Sequence, residues 1–269
     1  MLTQVSGSSS IPITPLLSVG LVTDVHHGVQ TFGDRDYAGA LLRMRSALGG
    51  FAAMGIELVI NLGDVIESNS DLVKTIALCT AVRKICATFP GEIRHVVGNH
   101  DVEMLSKDTF LAHLGCPTKS YYSFDAGRVH CIILDANYNE DGTDFSRNNI
   151  SWENSWVNDA QLRWLAADLA AAGPRPSMVF CHQCLDDVTT STGALDPYVV
   201  RNAALVRQIL HTGNVRAVFQ GHYHNGRRRV IDGISYIALP AVSVAHNVDE
   251  CASVATLYAD GSLRVDGLA

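Results

Sequence analysis

Five short segments of this chain carry residues able to hold metal ions: Asp24 with His26, Asp64, Asn99 with His100 and Asp101, His182, and His222 with His224. Imidazole nitrogen combined with carboxylate and amide oxygen suits manganese, iron, zinc or a related divalent ion, and the absence of thiolates in these segments argues against a structural zinc cage. Asp24 and His26 lie two apart on a segment read as extended, so their side chains should project to one side; His222 and His224 repeat that spacing. Glycine stands directly before Asp64, Asn99 and His222, where a tight backbone turn would let the ligand group bend inward. Asp24, His26, Asp64, Asn99, His182, His222 and His224 are too many for one tetrahedral centre. They suit two ions about 3.5–4 Å apart that share a carboxylate, hold a bridging hydroxide and clamp a phosphoryl group.

Residues so far apart in sequence can meet only if the fold collects them. Each segment follows an apolar run that reads as a strand buried on both faces: Leu17–Thr23, Leu58–Leu62, Ile93–Val97, Met178–Cys181 and Val215–Phe219. Strands of one sheet deliver their C-terminal ends to a common edge. Between them, Leu41, Met44, Leu48 and Phe51 recur at helical spacing, as do Leu72, Ile76, Cys79 and Val82. Leu162, Leu165 and Leu169 mark a third helix, with Asn158 as cap, Gln161 three residues on, and Gly173-Pro174 as its stop. Tyr121–Phe124 and Val129–Leu134 predict a hairpin. Four further β-rich runs after Arg228, with turns at Asp232-Gly233 and Asp260-Gly261, predict two more. The pattern is α/β with mixed sheets. A single domain over 1–269 is expected, with a loose tail at 1–15 and a substrate-side loop at 136–157, since a stretch that long without a period is usually functional.

Composition narrows the function. The net charge of −7 argues against a nucleic-acid backbone as partner. No apolar run reaches the roughly 18–20 residues of a membrane span, and the stretch before Asp24, broken by Pro12 and Pro15, does not resemble a secretory signal. Seven cysteines at irregular spacing fit a reducing, cytoplasmic setting; Cys181 reads as a core residue, and its C-x-x-C with Cys184 has no second pair to complete a structural zinc site. Arg227, Arg228 and Arg229 read as a guarded sheet edge, with a basic rim for an anionic substrate as the alternative. His95, His113, His130 and His211 read as structural, His27 as an exposed loop residue, and His246 as lying outside the site. Tyr138, Trp152 and Trp156 of the long loop could stack on a nucleobase or anchor the loop.

The ordered series D-x-H, GD, GNHD, H and GHxH, from about Val19 to His224, resembles the calcineurin-like metallophosphoesterase family. The resemblance implies a four-layer αββα sandwich, two mixed β-sheets flanked by helices. It implies that Asp24, His26, Asp64 and His224 hold one ion and that Asp64, Asn99, His182 and His222 hold the other, with Asp64 bridging. His100 would be the general acid and Asp101 the residue that orients it. Within the family, the motifs are similar to class III cyclic-nucleotide phosphodiesterases. The stretch YYSFDAGRVHCIILDANY is similar to manganese-dependent ADP-ribose/CDP-alcohol diphosphatases, which typically carry Gln where this chain has His26. The expected activity is hydrolysis of a phosphodiester or diphosphate bond in a small nucleotide-like substrate by a metal-bridging hydroxide. The alternatives are a phosphomonoesterase or phosphoprotein phosphatase, and a non-catalytic metal-binding scaffold; a nuclease is disfavoured by the acidic balance.

Overall fold

The computed structural model describes residues 13–29, 31–33, 35–67, 70–116, 119–147 and 149–268. The expected tail at 1–15 therefore falls mostly outside the described residues. The first half contains strands β1 (Pro15–Val22), β2 (Thr31–Phe32) and β3 (Arg35–Asp36), helix α1 (Tyr37–Ala53), β4 (Leu58–Asn61), α2 (Leu72–Cys86), β5 (Glu92–His95) and α3 (Lys107–Leu114). Next come β6 (Tyr122–Ala126), β7 (Val129–Ile133), α4 (Asp159–Ala172), β8 (Ser177–Cys181), α5 (Ala203–Leu210) and β9 (Val215–Gln220). Hairpins β10 (Asn225–Ile231) with β11 (Ile234–Pro240), and β12 (Ser253–Tyr258) with β13 (Leu263–Gly267), close the chain.

The side-to-side alternation of strand residues builds the layers. Leu21, Ile60, Phe180 and Phe219 face one shared interior, while their neighbours Val22, Val59, Val179 and Val218 face outward onto helices. Two sheets result, ordered β13-β12-β1-β4-β5 and β10-β11-β9-β8-β7-β6. Phe180 and Phe219 stack at 5.7 Å between them. Helices α1, α2 and α3 cover the outer face of the first sheet; α4 and α5 cover the second. This is the αββα sandwich expected. Pairing is parallel along β1-β4-β5 and along β7-β8-β9-β11, and antiparallel at the remaining joins, so both sheets are mixed.

Local signals fix the helix starts. Asp36, Asp71, Ser106 and Asn158 each accept a backbone N–H of the first turn, a contribution of about 1 kcal/mol apiece. Asn158 caps α4 as expected, but the Gln161 side chain does not turn back to complete the cap. It is fully buried and brackets residue 135, accepting from the Asp135 N–H at 2.9 Å and donating to the Asp135 carbonyl at 2.7 Å. No helix among the described residues is long and apolar enough to cross a membrane.

The long loop at 136–157 is folded, with bridges from Tyr138 to Asp144 and Trp156 and a single 3-10 turn at Trp152–Asn154. Arg227 pairs with Asp186 and Asp196, and Arg229 with Asp187. Two of the three arginines thus guard the edge strand β10 with their charge already met, which favours the sheet-edge reading. Cys181 and Cys184 are buried, and burial pushes both thiols above their ordinary range.

Candidate metal centre

The parallel core strands end along one edge of the sandwich, and the loops that leave them interlock. Asp24 N–H donates to the Gly63 carbonyl at 3.0 Å, His26 N–H to Asp64 at 2.8 Å, Gly221 N–H to His182 at 3.0 Å, and Ser243 N–H to Asp24 at 3.0 Å. Three segments come from the first sheet, after β1, β4 and β5. Two come from the second, after β8 and β9. The turns are tight enough that glycine is required: a Cβ on Gly98 would lie 2.1 Å from Asp64 Oδ1, and one on Gly221 would lie 2.0 Å from Thr23 Oγ1.

The side chains converge by a different route from the one expected. β1 ends at Val22, and Asp24 and His26 are not extended; their φ angles are +52° and +46°. Asp64 (+51°) and His222 (+65°) share this left-handed geometry, so four of the five described non-glycine residues with positive φ are candidate ligands. Such a conformation costs about 1–2 kcal/mol per residue. The cost is concentrated at four of the candidate ligands, which is where strained backbone clusters in functional sites generally.

Each carboxylate uses one oxygen to anchor itself and presents the other. Asp24 Oδ2 accepts from Thr23 Oγ1 at 2.6 Å and His222 N–H at 3.0 Å, leaving Oδ1 3.2 Å from His224 Nε2 and 3.6 Å from His26 Nε2. Asp64 Oδ1 accepts from His100 N–H at 2.8 Å, while Oδ2 lies 3.1 Å from His182 Nε2 and 3.7 Å from His26 Nε2. Asp64 thus stands between two groups, Asp24-His26-His224 and Asp64-His182-His222, whose ligand atoms within each group lie within 4.8 Å of one another. His182 Nδ1 is held by the Leu62 carbonyl at 2.8 Å and His26 Nδ1 by Glu67 Oε2 at 2.8 Å, which turns both Nε2 atoms toward the centre.

The donor set fits a pair of divalent ions. Asn99 Oδ1 and His222 Nε2 are buried without a hydrogen-bond partner, an arrangement that costs free energy unless something binds them, while Asp24 Oδ1 and His182 Nε2 meet only the imidazoles and carboxylate of the other candidate ligands. The electrostatics point the same way. Burial pushes His26 and His182 down, but the carboxylates around them win: Asp24, Glu67 and Asp64 hold His26 at about 10, and Asp64 with Asp24 holds His182 at about 9. Burial pushes Asp24 and Asp64 up, and the imidazoles outweigh it, holding both below the usual carboxylate range. Burial and the neighbouring His182 drive His222 down to about 3, so it presents a neutral imidazole. These shifts share one cause, a cluster of buried carboxylates that favours positive charge beside it, so metal uptake at this site would be coupled to proton release.

His100 lines a cavity with Asp64, Asn99, His222 and His224, its Nδ1 3.0 Å from Glu103 Oε1 and 3.8 Å from Glu67 Oε1. Burial opposes its charge, but Asp64 and Glu103 outweigh that and raise its pKa. Asp101 does not orient the His100 ring as expected. Its fully buried carboxylate accepts from the backbone N–H groups of Asp64, Val65 and Gly98 at 2.9 Å and of Ile66 at 3.4 Å. The side chain is short and points back into the loop, so it ties the Asp64 turn to the Asn99 turn. Burial and the nearby Asp64 charge push it up to about 7.

Sequence reasoning missed Glu67, which touches both His26 and His100; its position three residues after Asp64 is the signal that could have found it. It also missed the loop at 182–202. That loop carries Tyr198, whose ring lies 5.2 Å from His222 and 5.4 Å from Trp152. Of the three loop aromatics for which stacking and anchoring were the alternatives, Trp152 reaches the site, 5.5 Å from His222. Tyr138 is buried beneath Lys107, and Trp156 pairs with Asn137 and Tyr138; both anchor the loop. His27 is half-buried and bridges to Ile66, while His246 is exposed and does not line the cavity.

The segments that supply these side chains all fall within residues 17–226, which match the calcineurin-like phosphoesterase family. The chain belongs to that family. It is 24% identical over 207 residues to a probable cyclic nucleotide phosphodiesterase of Rhodococcus erythropolis, covering 74% of this chain and 62% of that protein. It is 23% identical over 257 residues to the manganese-dependent ADP-ribose/CDP-alcohol diphosphatase of Arabidopsis thaliana, covering 79% and 81% respectively. Its fold is that of a dimetal phosphatase from Danio rerio, with a TM-score of 0.79 at 18% identity over 95% of this chain and 98% of that one.

Proposed function

We propose that this calcineurin-like phosphoesterase binds two divalent ions and hydrolyses a phosphodiester or diphosphate bond in a small nucleotide-like substrate. The observation that carries this reading is a single cavity of about 540 Å³ lined both by Asp64, Asn99, His222 and His224 and by the aromatic rings of Trp152 and Tyr198. The relatives named for cyclic nucleotides and for ADP-ribose support the substrate class.

Asp24, His26, Asp64 and His224 would hold one ion; Asp64, Asn99, His182 and His222 would hold the other. When bound, the ions neutralise phosphoryl oxygens and lower the pKa of a coordinated water to about 7. His100, whose pKa Asp64 and Glu103 raise, is placed to pass a proton to the departing oxygen. Trp152 and Tyr198 offer a flat face for a base. They are rigid: Arg201 Nε donates to the Glu153 carbonyl at 2.6 Å, and the Asn202 side chain brackets the N–H and carbonyl of Val157 at 3.1 and 2.8 Å. Arg227, clamped by Asp186 at 2.7 and 3.0 Å, backs Tyr223, which supports Tyr198.

The test is a matrix of Mn, Fe, Zn and Mg against mono- and bis-nitrophenyl phosphate, cyclic nucleotides and nucleoside diphosphate conjugates. Nucleotide substrates are expected to give the highest kcat/KM. Trp152→Ala is expected to raise KM for them by about 5- to 150-fold, the worth of one base-aromatic stack, with kcat little changed. Preference for phosphomonoesters, or no hydrolysis with any metal, would refute the assignment.

A further inference from the structure

Asn137 lies outside the cavity, is fully buried, and joins the two loops that carry Asn99 and His182. Its Nδ2 donates to the Val97 carbonyl at 2.8 Å, two residues before Asn99. Its Oδ1 accepts from Gln183 Nε2 at 2.7 Å, and Gln183 directly follows His182. We propose that Asn137 is a positioning residue that sets the spacing of Asn99 and His182 and so governs the affinity of the second ion position. The proposal rests on the two-ion reading above.

Asn137 is itself held from several directions. Asp135 Oδ1 accepts from its N–H at 2.8 Å and from its Nδ2 at 2.9 Å. Asp135 is in turn fixed by Lys107 Nζ at 2.7 Å from Oδ2 and by the Gln161 side chain on its backbone. The Asn137 carbonyl accepts from Phe145 N–H at 3.0 Å. A side chain so fully bound cannot turn to another rotamer without breaking several buried hydrogen bonds, and each group left unpaired there would be costly. The planar amide is therefore a spacer of fixed length. At one end is the strand end before Gly98-Asn99, at the other the residue beside His182.

This hold bears directly on the loops of Asn99 and His182, and reaches the other ion position only indirectly, through Asp64 and the Gly221 N–H bond to His182. Asp24, His26 and His224 belong to loops that are tied by other bonds: Asp24 N–H to Gly63, His26 N–H to Asp64, and Ala241 N–H to the His224 carbonyl at 3.0 Å. Asn137 touches none of them. Asn99 and His182, in contrast, come from different sheets, and the β4 turn at Gly63 lies between them. A Cβ on Gly63 would lie 2.8 Å both from Gly98 N and from His182 Nδ1, so the two loops meet at contact distance across that turn. Losing the spacer would free the two loops to shift apart and spoil the geometry of the shared ligands.

The test is calorimetric Mn(II) titration of the metal-stripped full chain, with metal content and electron paramagnetic resonance of the loaded protein. Wild type is expected to show two binding events and an exchange-coupled signal. In Asn137→Ala the weaker event should lose about 10- to 100-fold in affinity, the usual scale for residues that support a metal ligand, while the tighter event moves by less than about threefold. At one equivalent of Mn the variant should show the signal of isolated ions, and excess Mn should restore kcat. A purely structural role would instead weaken both events together and resist rescue by metal. Gln183→Leu, which leaves Asn137 in place, should give the same selective loss, and the double variant should be no worse than the more affected single one. Should Asn137→Ala fail to fold, Gln183→Leu decides. Equal weakening of both events, or wild-type affinity at both in Gln183→Leu, would overturn the proposal. A wild type that takes up a single ion would overturn the two-ion reading itself, and with it this inference.

Discussion

Asp64→Asn is expected to empty both ion positions and lower kcat/KM by more than about 10³-fold, beyond the worth of a single electrostatic donor, while leaving the fold intact. The reason lies in what each Asp64 oxygen does. Oδ1 accepts from His100 N–H, a bond an asparagine carbonyl retains. Oδ2 faces His182 and His26 from between the two ligand groups, and an amide nitrogen placed there brings no charge and no lone pair. Asparagine also tolerates the positive φ at this position, so the variant separates loss of metal from loss of backbone geometry. Asp64→Ala should lose the ions as well and be the less stable of the two, since it gives up the Oδ1 bond and leaves a β-carbon in left-handed backbone. Metal analysis after gel filtration, with melting temperatures of the metal-free proteins, checks both. Two tightly bound ions in Asp64→Asn would contradict the bridging role.

The sandwich was legible because its strands are short apolar runs with the chemistry at their C-terminal ends. Val59 and Ile60, or Val179 and Phe180, are buried on opposite faces, and a strand with helices on one side and a second sheet on the other has no polar face to break its pattern. The gathering of Asp24, Asp64, Asn99, His182 and His222 followed from that placement. The backbone at the ligands was not legible. Alternating side chains suggested extended segments at Asp24-His26 and His222-His224, whereas all four residues lie outside the strands, and Asp24, His26 and His222 sit at positive φ. Strain of that kind is imposed by interlocking loops, which no local propensity encodes. Asp101 was misassigned for a related reason: its neighbour His100 lies at the cavity, but one step along a 3-10 turn points the next side chain into the loop. Tyr198 escaped notice because a lone tyrosine in a polar loop carries no pattern, while Glu67 had only its place three residues after Asp64 to mark it, and contact with His26 gives that place its meaning. The paired arginines of β10 were ambiguous until Asp186, Asp187 and Asp196, from a loop preceding α5, supplied their partners.

His100→Asn should slow turnover by about 10²- to 10⁴-fold for substrates with a poor leaving group, the scale of general acid catalysis, and by far less for nitrophenyl esters, whose departing oxygen needs no proton. The ion pair should survive. His100 reaches Asp64 through its backbone N–H, which the substitution keeps, and its ring meets His26 only at an edge, with centroids 4.8 Å apart. The pH dependence separates an acid from a residue that merely binds. Burial disfavours the charged ring, yet Asp64 and Glu103 outweigh it and raise the pKa, so the imidazolium is present below that raised value and is lost as pH climbs through it. Wild-type kcat/KM with a poor leaving group should therefore decline on the alkaline side, and that limb should be absent in His100→Asn. Glu103→Gln removes a supporting carboxylate 3.0 Å from Nδ1 and should move the limb to lower pH without abolishing it. Equal losses with good and poor leaving groups, or an alkaline limb that persists unchanged in His100→Asn, would place the proton donor elsewhere.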